Sequence, residues 1–366
     1  MKKNSKLYYI ISGEASGDLH GSHLIKSIKK IDSNIHFRGL GGPLMAKEGF
    51  KTLCDFSRLS VMGFVEIIKD IRFFLKLKKQ IYNDILQTSP EKIILIDYPG
   101  FNLRLAKKIK KSCSIPVIYY VSPQIWAWKE NRIKLLKNFV DSLIVLFPFE
   151  KIWFKKRNID VHFFGHPLID VYNNIKLTNV QPKNTIGFFP GSRSQEIKKH
   201  LPVFYDLIKN LSKNNPKLKF IVSQAPGSNV ILFKKIKLLK NVYLDSDESF
   251  KTFSKINVGV VASGTATLEC AISKTPFLVI YKTSFLSWLI AKSFLSIPYI
   301  SIVNILANKE IVKEFVQYDI KQKNIAAKIN HLLENPNKTK NLLEDVSASL
   351  GDGGAYKKTA KHIVEY

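Results

Sequence analysis

Short, unbroken apolar runs recur along this chain, and lysine-studded helical stretches separate them. The runs lie at 7–11, 35–38, 93–97, 116–121, 142–146, 161–164, 185–189, 219–223, 257–262 and 276–281. A strand with one wet face alternates apolar and polar residues. A continuous apolar run instead fits a parallel strand covered on both faces. Runs of that kind in alternation with helices predict an α/β fold built on doubly wound parallel sheets.

The rhythm starts twice, and 366 residues exceed what one core usually organises. A polar stretch, Asn173 to Asn184, contains Gln181-Pro182-Lys183-Asn184 and reads as a linker. The expected organisation is two Rossmann-like domains, 1–172 and 185–349, with a tail, 350–366, that crosses back to the first domain. The cleft between the halves is the expected ligand site.

The net charge of +28 favours anionic partners: nucleic acid, phosphorylated substrates or an anionic membrane face. A lysine-rich proteome would give the same number, so charge fixes no function. No strong nucleic-acid motif is present. Cys54, Cys113 and Cys270 are far apart, with no CxxC and no His/Cys cluster, so neither zinc nor any other metal is expected. Sparse cysteines suit a reducing cytoplasm. The basic start, Met1 to Lys6, leads into a short apolar run that reads as a strand rather than a signal peptide. Lys282, Lys292 and Pro298 break the apolar stretch 275–307 below the ~20 residues a membrane span needs.

The strand ends carry the chemistry. The first run ends in Ser12-Gly13-Glu14-Ala15-Ser16-Gly17-Asp18, a small-residue loop before a helix. A loop built only for phosphate would avoid Glu14 and Asp18, so this one is expected to meet hydroxyls or a cation. Asp97 closes another run, before Tyr98-Pro99-Gly100-Phe101-Asn102, and is the candidate general base. In isolation it reads equally as a turn-forming Asp. Trp126 and Trp128, after the next run, line a sugar or acyl pocket or pack in the core. His20 and His166 are weaker candidates, since lone histidines are more often structural.

In the second half, Pro190-Gly191-Ser192-Arg193 precedes a helix and offers backbone N–H groups and an Arg to an anion. Ser263-Gly264-Thr265 does the same after another run, and Glu269 follows one helical turn later. Amides for a diphosphate and a carboxylate for a ribose diol suit a nucleoside diphosphate. Alone, Glu269 also reads as a favourable first-turn charge. Between Leu59 and Tyr82, Lys69, Arg72, Lys76 and Lys79 form a basic helical stripe beside Met62, Phe64, Ile68 and Phe73. That pattern fits an interfacial helix that meets lipid, or a core helix with one solvated side.

Together these motifs resemble the lipid-A-disaccharide synthase family, glycosyltransferase family 19. Gly39-Leu40-Gly41-Gly42, Met62-Gly63-Phe64, Phe164-Gly165-His166-Pro167, Asn304-Ile305-Leu306-Ala307 and Phe315-Val316-Gln317 extend the likeness over nearly the whole chain. The resemblance implies a GT-B fold and an inverting, metal-independent transferase without cofactor. It implies transfer of 2,3-diacylglucosamine from UDP-2,3-diacylglucosamine to the 6-hydroxyl of 2,3-diacylglucosamine 1-phosphate. It places the work at an anionic membrane surface, peripherally on the cytoplasmic face of the inner membrane. Asp97 would be the base and Glu14 would orient a sugar. Arg193, Gly191, Ser192, Ser263, Gly264 and Thr265 would hold the diphosphate, Glu269 the ribose and Asn304 a further donor group. Met62, Phe64, Ile68, Lys69, Arg72, Phe73 and Lys76 would touch membrane or acyl chains. Residues 305–317 depart from the family pattern in being more charged. A UDP-N-acetylglucosamine 2-epimerase, a peptidoglycan glycosyltransferase and a basic binding protein with an inactive transferase fold are the alternatives. The sequence leaves monomer and homodimer both open.

Overall fold

The apolar runs become strands whose side chains are sealed on both faces. In β1 (Lys6–Ser12), β4 (Lys92–Ile96), β5 (Val117–Tyr120) and β6 (Ser142–Val145) nearly every residue is buried. With β2 (Ile35–Leu40), β3 (Lys51–Thr52) and β7 (His162–Phe163) they form one parallel sheet, ordered β3-β2-β1-β4-β5-β6-β7. A second parallel sheet is ordered β10-β9-β8-β11-β12-β13. Its strands are β8 (Thr185–Phe189), β9 (Lys219–Ser223), β10 (Val242–Asp245), β11 (Val258–Ala262), β12 (Phe277–Tyr281) and β13 (Glu314–Val316). The computed structural model describes residues 6–54, 56, 71–176, 184–225, 227–283 and 298–366.

Contacts divide the chain into two units. Unit 1 is Met1–Asp170 with Asp352–Tyr366, and unit 2 is Val171–Gly351. Each has its own apolar core of sheet and flanking helices, as in a Rossmann-like domain. β3, β10 and β13 carry no continuous apolar run. All three lie at sheet edges and are partly exposed, so they need no run. The short stretch 298–303, strand-like in its apolar content, instead leads into a helix, Ile302–Ala307, capped by the Ser301 hydroxyl, which accepts from Val303 N–H.

The helix Ala355–Glu365 completes unit 1. Ala360 and Ile363 pack with Leu24, Ile28, Ile94 and Ile118 over one face of the sheet. Its ends are held electrostatically. The Asp170 carboxylate accepts from Gly354 and Tyr356 N–H at the positive end. Buried Lys92 donates to the carbonyls of Ile363 and Val364 (2.7 and 2.8 Å) at the negative end.

Candidate active site

In each sheet the chain leaves two neighbouring strands in opposite directions, which opens a crevice at their carboxyl ends. In unit 1 those strands are β1 and β4, paired through Ser12 and Ile96. The loops at this end are Gly13-Glu14 and Asp97-Tyr98. They approach closely: a Cβ on Gly13 would stand 2.6 Å from the Tyr98 ring. Only glycine fits there.

Asp97 and Tyr98 are consecutive non-glycine residues with positive φ, 45° and 51°. Such a conformation costs on the order of 1–3 kcal/mol per residue and persists only where neighbours enforce it. Here they do. The Asp97 carbonyl accepts from Asn102 Nδ2 (2.8 Å) and from the Tyr119 hydroxyl (2.5 Å), and Asp97 N–H donates to Tyr120 O (3.0 Å). Pro99 then begins the helix Pro99–Lys110 at a position where its missing N–H is harmless. The result is an acid turned out of the strand end and held rigidly.

Burial is the main cause that pushes the Asp97 carboxyl up, to about 6. The Glu14 carboxylate adds to the rise, and a hydrogen bond from Tyr98 N–H opposes it. The Tyr98 phenol is pushed up to about 12 by burial and then by Glu14. Glu14 therefore acts on both residues. An acid near 6 is mostly ionised at neutral pH, yet basic enough to take a proton from a hydroxyl.

Asp18 belongs elsewhere. It is buried, and its carboxylate accepts from the N–H groups of Gly42, Leu44 and Met45 at 2.9–3.0 Å. It caps the short helix Pro43–Lys47, and a Cβ on Gly42 would strike it at 2.5 Å. The expectation that it meets a ligand with Glu14 is corrected. His20 is half-buried and His166 buried, and both are held neutral, pushed down to about 4 and about 3 chiefly by desolvation. His20 Nδ1 lies 2.9 Å from the Tyr356 hydroxyl of the last helix. Trp126 is anchored, its Nε1 donating to buried Glu150 (3.0 Å), while Trp128 is exposed.

In unit 2 the equivalent strands are β8 and β11, paired through Phe189 and Val261. Gly191 to Arg193 follow β8, and Ser263 and Gly264 follow β11. Both loops deliver the chain into helices, Ser194–Asn214 and Thr265–Ile272, whose first N–H groups face the crevice end of the sheet. Gly191 has φ +99°, and a Cβ there would strike Glu196 Oε2. Arg193 is exposed and holds only a loose ion pair with Glu196 (3.5 Å), so it can turn to a phosphate. Thr265 is exposed, and a Cβ on Gly264 would meet no atom of the chain. Glu269 is half-buried, raised by burial, and takes one hydrogen bond from Ser249. Its Oε2 is out of solvent and has no partner among the described residues.

His200 carries no motif, yet it pins the loop that begins at Pro190. It is buried in the helix Ser194–Asn214, its Nδ1 lies 2.9 Å from Pro190 O, and its Nε2 accepts from Lys282 N–H (3.1 Å). The carbonyl fixes the proton on Nδ1. The only sequence cue is a histidine on an otherwise apolar helical stripe with Ile197, Leu201 and Phe204.

Asn304 is corrected as a donor-binding residue. It is buried inside a helix, and its amide is saturated. Nδ2 donates to Val312 O and Glu314 Oε1 (2.8 Å each), and Oδ1 accepts from Ile311 and Val312 N–H. Glu314 in turn accepts from Ile300 and Ser301 N–H at 2.9 Å. The unusual charge at 305–317 thus includes an internal clamp. Of the expected membrane contacts, Met62, Phe64, Ile68 and Lys69 lie outside the described residues. Arg72 and Lys76 are exposed on the helix Ile71–Thr88, and Phe73 is half-buried against the core. Among the described residues no helix is long and apolar enough to cross a membrane, and no cluster of three or more His, Cys, Asp or Glu could hold a metal ion.

A family model described as lipid-A-disaccharide synthetase matches residues 8–361. The chain belongs to the lipid-A-disaccharide synthase family. Lipid-A-disaccharide synthase 1 of Legionella pneumophila (strain Paris) is 35% identical over 359 residues, covering 94% of this chain and 92% of its own. Lipid-A-disaccharide synthase of Coxiella burnetii is 36% identical over 379 residues and covers 98% of both. The fold is also that of a UDP-GlcNAc 2-epimerase from Neisseria meningitidis, with a TM-score of 0.67 at 15% identity over 99% of this chain and 100% of that one. Family and fold make this protein a hexosyltransferase with two Rossmann-like domains of the GT-B type.

Proposed function

We propose that the chain transfers 2,3-diacylglucosamine from UDP to the 6-hydroxyl of 2,3-diacylglucosamine 1-phosphate. The products are the β-1,6-linked disaccharide 1-phosphate and UDP. One observation carries the mechanism: Asp97, raised to about 6, stands rigidly at the strand ends beside Glu14. Asp97 takes the proton of the acceptor's 6-hydroxyl as that oxygen attacks the anomeric carbon. The bond from that carbon to the UDP oxygen breaks on the opposite face, so the configuration inverts. Negative charge gathers on the departing diphosphate, where preorganised donors have most effect. Arg193 and the amides of Gly264 and Thr265 supply them, with Gly191 and Ser192 shaping the loop. Glu269 takes the ribose hydroxyls, which gives its unpartnered Oε2 a donor. Glu14 orients a sugar and keeps Asp97 basic.

Both substrates carry acyl chains, so the enzyme works at a membrane surface, for which we infer the cytoplasmic face of the inner membrane. Arg72, Lys76 and Lys79, exposed on one helix, fit an anionic lipid surface. The test is UDP release from the two diacylated substrates in detergent micelles. The wild type should turn over, and Asp97→Ala and Arg193→Ala should not. A silent wild type, or full activity in either variant, sinks the proposal.

A further inference from the structure

One cluster of positive charge takes no part in the steps above. Arg104 stands on the helix Pro99–Lys110, which starts two residues after Asp97, and Lys129 precedes and Arg132 ends the short turn Glu130–Arg132 in the segment after β5. β4 and β5 are paired neighbours, so both segments leave the sheet at the Asp97 end. Arg104 and Lys129 are exposed, and Arg132 is half-buried. Arg104 lies close enough to disfavour the charge of Lys129 and of Arg132. Burial first, then Arg132 and Arg104, lower Lys129. Burial first lowers Arg132, with Arg104 adding to the drop and Tyr119 opposing it.

No carboxylate among the described residues answers them. Glu130, the acid between them, is held by Arg157 Nε at 2.7 Å, and Asp141 by Lys110 at 2.8 Å. Trp128 completes the group, with Lys129 Nζ 4.1 Å and Arg132 Cζ 6.0 Å from its ring centroid. Lys129 keeps a left-handed backbone, φ 57°, which lysine rarely adopts. Three convergent cations with no counter-charge are a site for an anion, and the Arg132 fork suits phosphate oxygens.

We propose that Arg104, Lys129 and Arg132 form a subsite for a phosphate monoester, the 1-phosphate of the sugar acceptor. The inference rests on the glycosyl-transfer reading above. Arg132 lies within electrostatic reach of the Tyr119 hydroxyl, and that hydroxyl donates to the Asp97 carbonyl. A single pyranose ring separates a 1-phosphate from a 6-hydroxyl. An acceptor anchored at the cluster therefore presents its hydroxyl toward Asp97, with the exposed Trp128 side chain beside the cluster. The subsite would also set polarity: the phosphorylated sugar binds as acceptor. A phospholipid headgroup offers similar chemistry, but as a diester.

The test compares 2,3-diacylglucosamine 1-phosphate with 2,3-diacylglucosamine lacking the phosphate, in the same micelles at saturating donor. Arg132→Gln, and separately the exposed pair Arg104→Gln with Lys129→Gln, should lower kcat/KM for the phosphorylated acceptor roughly 10- to 100-fold. Both should leave the phosphate-free acceptor and the donor KM unchanged, and Arg132→Lys should restore part of the loss. Cosedimentation with phosphatidylglycerol vesicles should not change. An equal loss for both acceptors, no loss for the phosphorylated one, or lost vesicle binding with intact acceptor kinetics overturns the subsite. Phosphorus-31 line broadening of the phosphorylated acceptor by the protein, abolished in the variants, reads the subsite without turnover. A failed reaction and a failed subsite are thereby distinguished.

Discussion

Replacing Asp97 by Asn tests the proposed base through stability as well as rate. The rise of Asp97 from 3.8 to about 6 corresponds to roughly 3 kcal/mol. The folded value lies above the unfolded one, so the folded protein holds this proton more tightly. That stabilisation is fully present below about pH 4 and is lost as the pH rises through about 6. At about pH 7.5 the native state therefore carries a half-buried, poorly solvated charge at its full cost. Asp97→Asn removes the charge and keeps the shape. Unfolding of unit 1 should become harder by up to ~3 kcal/mol at neutral pH, with the gain vanishing near pH 4. Over the same substitution kcat should fall by about 10²- to 10⁴-fold, the usual worth of a general base. Urea unfolding followed by tryptophan fluorescence suits the test, because Trp126, Trp128 and Trp153 all belong to unit 1. No gain at neutral pH, a gain of equal size at both pH values, or retained turnover would refute the reasoning.

Three further outcomes follow from the geometry. Glu14→Gln removes the second cause of the Asp97 rise, so the acid limb of kcat/KM should move below the wild-type position near pH 6; an unmoved limb would show that Glu14 does not act on the base. Asp18→Ala strands the N–H groups of Gly42, Leu44 and Met45 and should destabilise unit 1 by roughly 2–3 kcal/mol, measured by thermal melting, without changing either KM. His200→Ala frees the Pro190 loop and should raise the donor KM while sparing the acceptor KM; the opposite split would place His200 outside donor binding.

The centres of both sheets were legible because burial on two faces writes an unbroken apolar run into the sequence. β3, β10 and β13 left no such trace, being edges that face water on one flank. Asp97 was legible as an acid at a strand end, but the cause of its basicity was not. That cause is chiefly burial, which only packing supplies, with Glu14, far away in sequence, adding to it. Glu14 and Asp18 looked alike in one loop. One turn of helix sends Asp18 inward to cap another helix, a difference that only the packing partner decides. Asn304 misled for a related reason: a polar residue near a strand-like run is as readily a saturated internal clamp as a ligand contact. Arg104, Lys129 and Arg132 carry no motif, and only folding brings them together.

The helix Ala355–Glu365 also bears on how the protein is made. Ribosomes emit residues 352–366 after the whole of unit 2, whose residues 171–351 are contiguous and can fold as they emerge. Unit 1 has no such freedom. Its sheet keeps one apolar face partly uncovered, around Leu24, Ile28, Ile94 and Ile118, until the late helix arrives. For that interval the nascent chain offers a sticky surface to chaperones and to other unfinished chains. A chain cut short within unit 2 therefore leaves that apolar face of unit 1 uncovered for good.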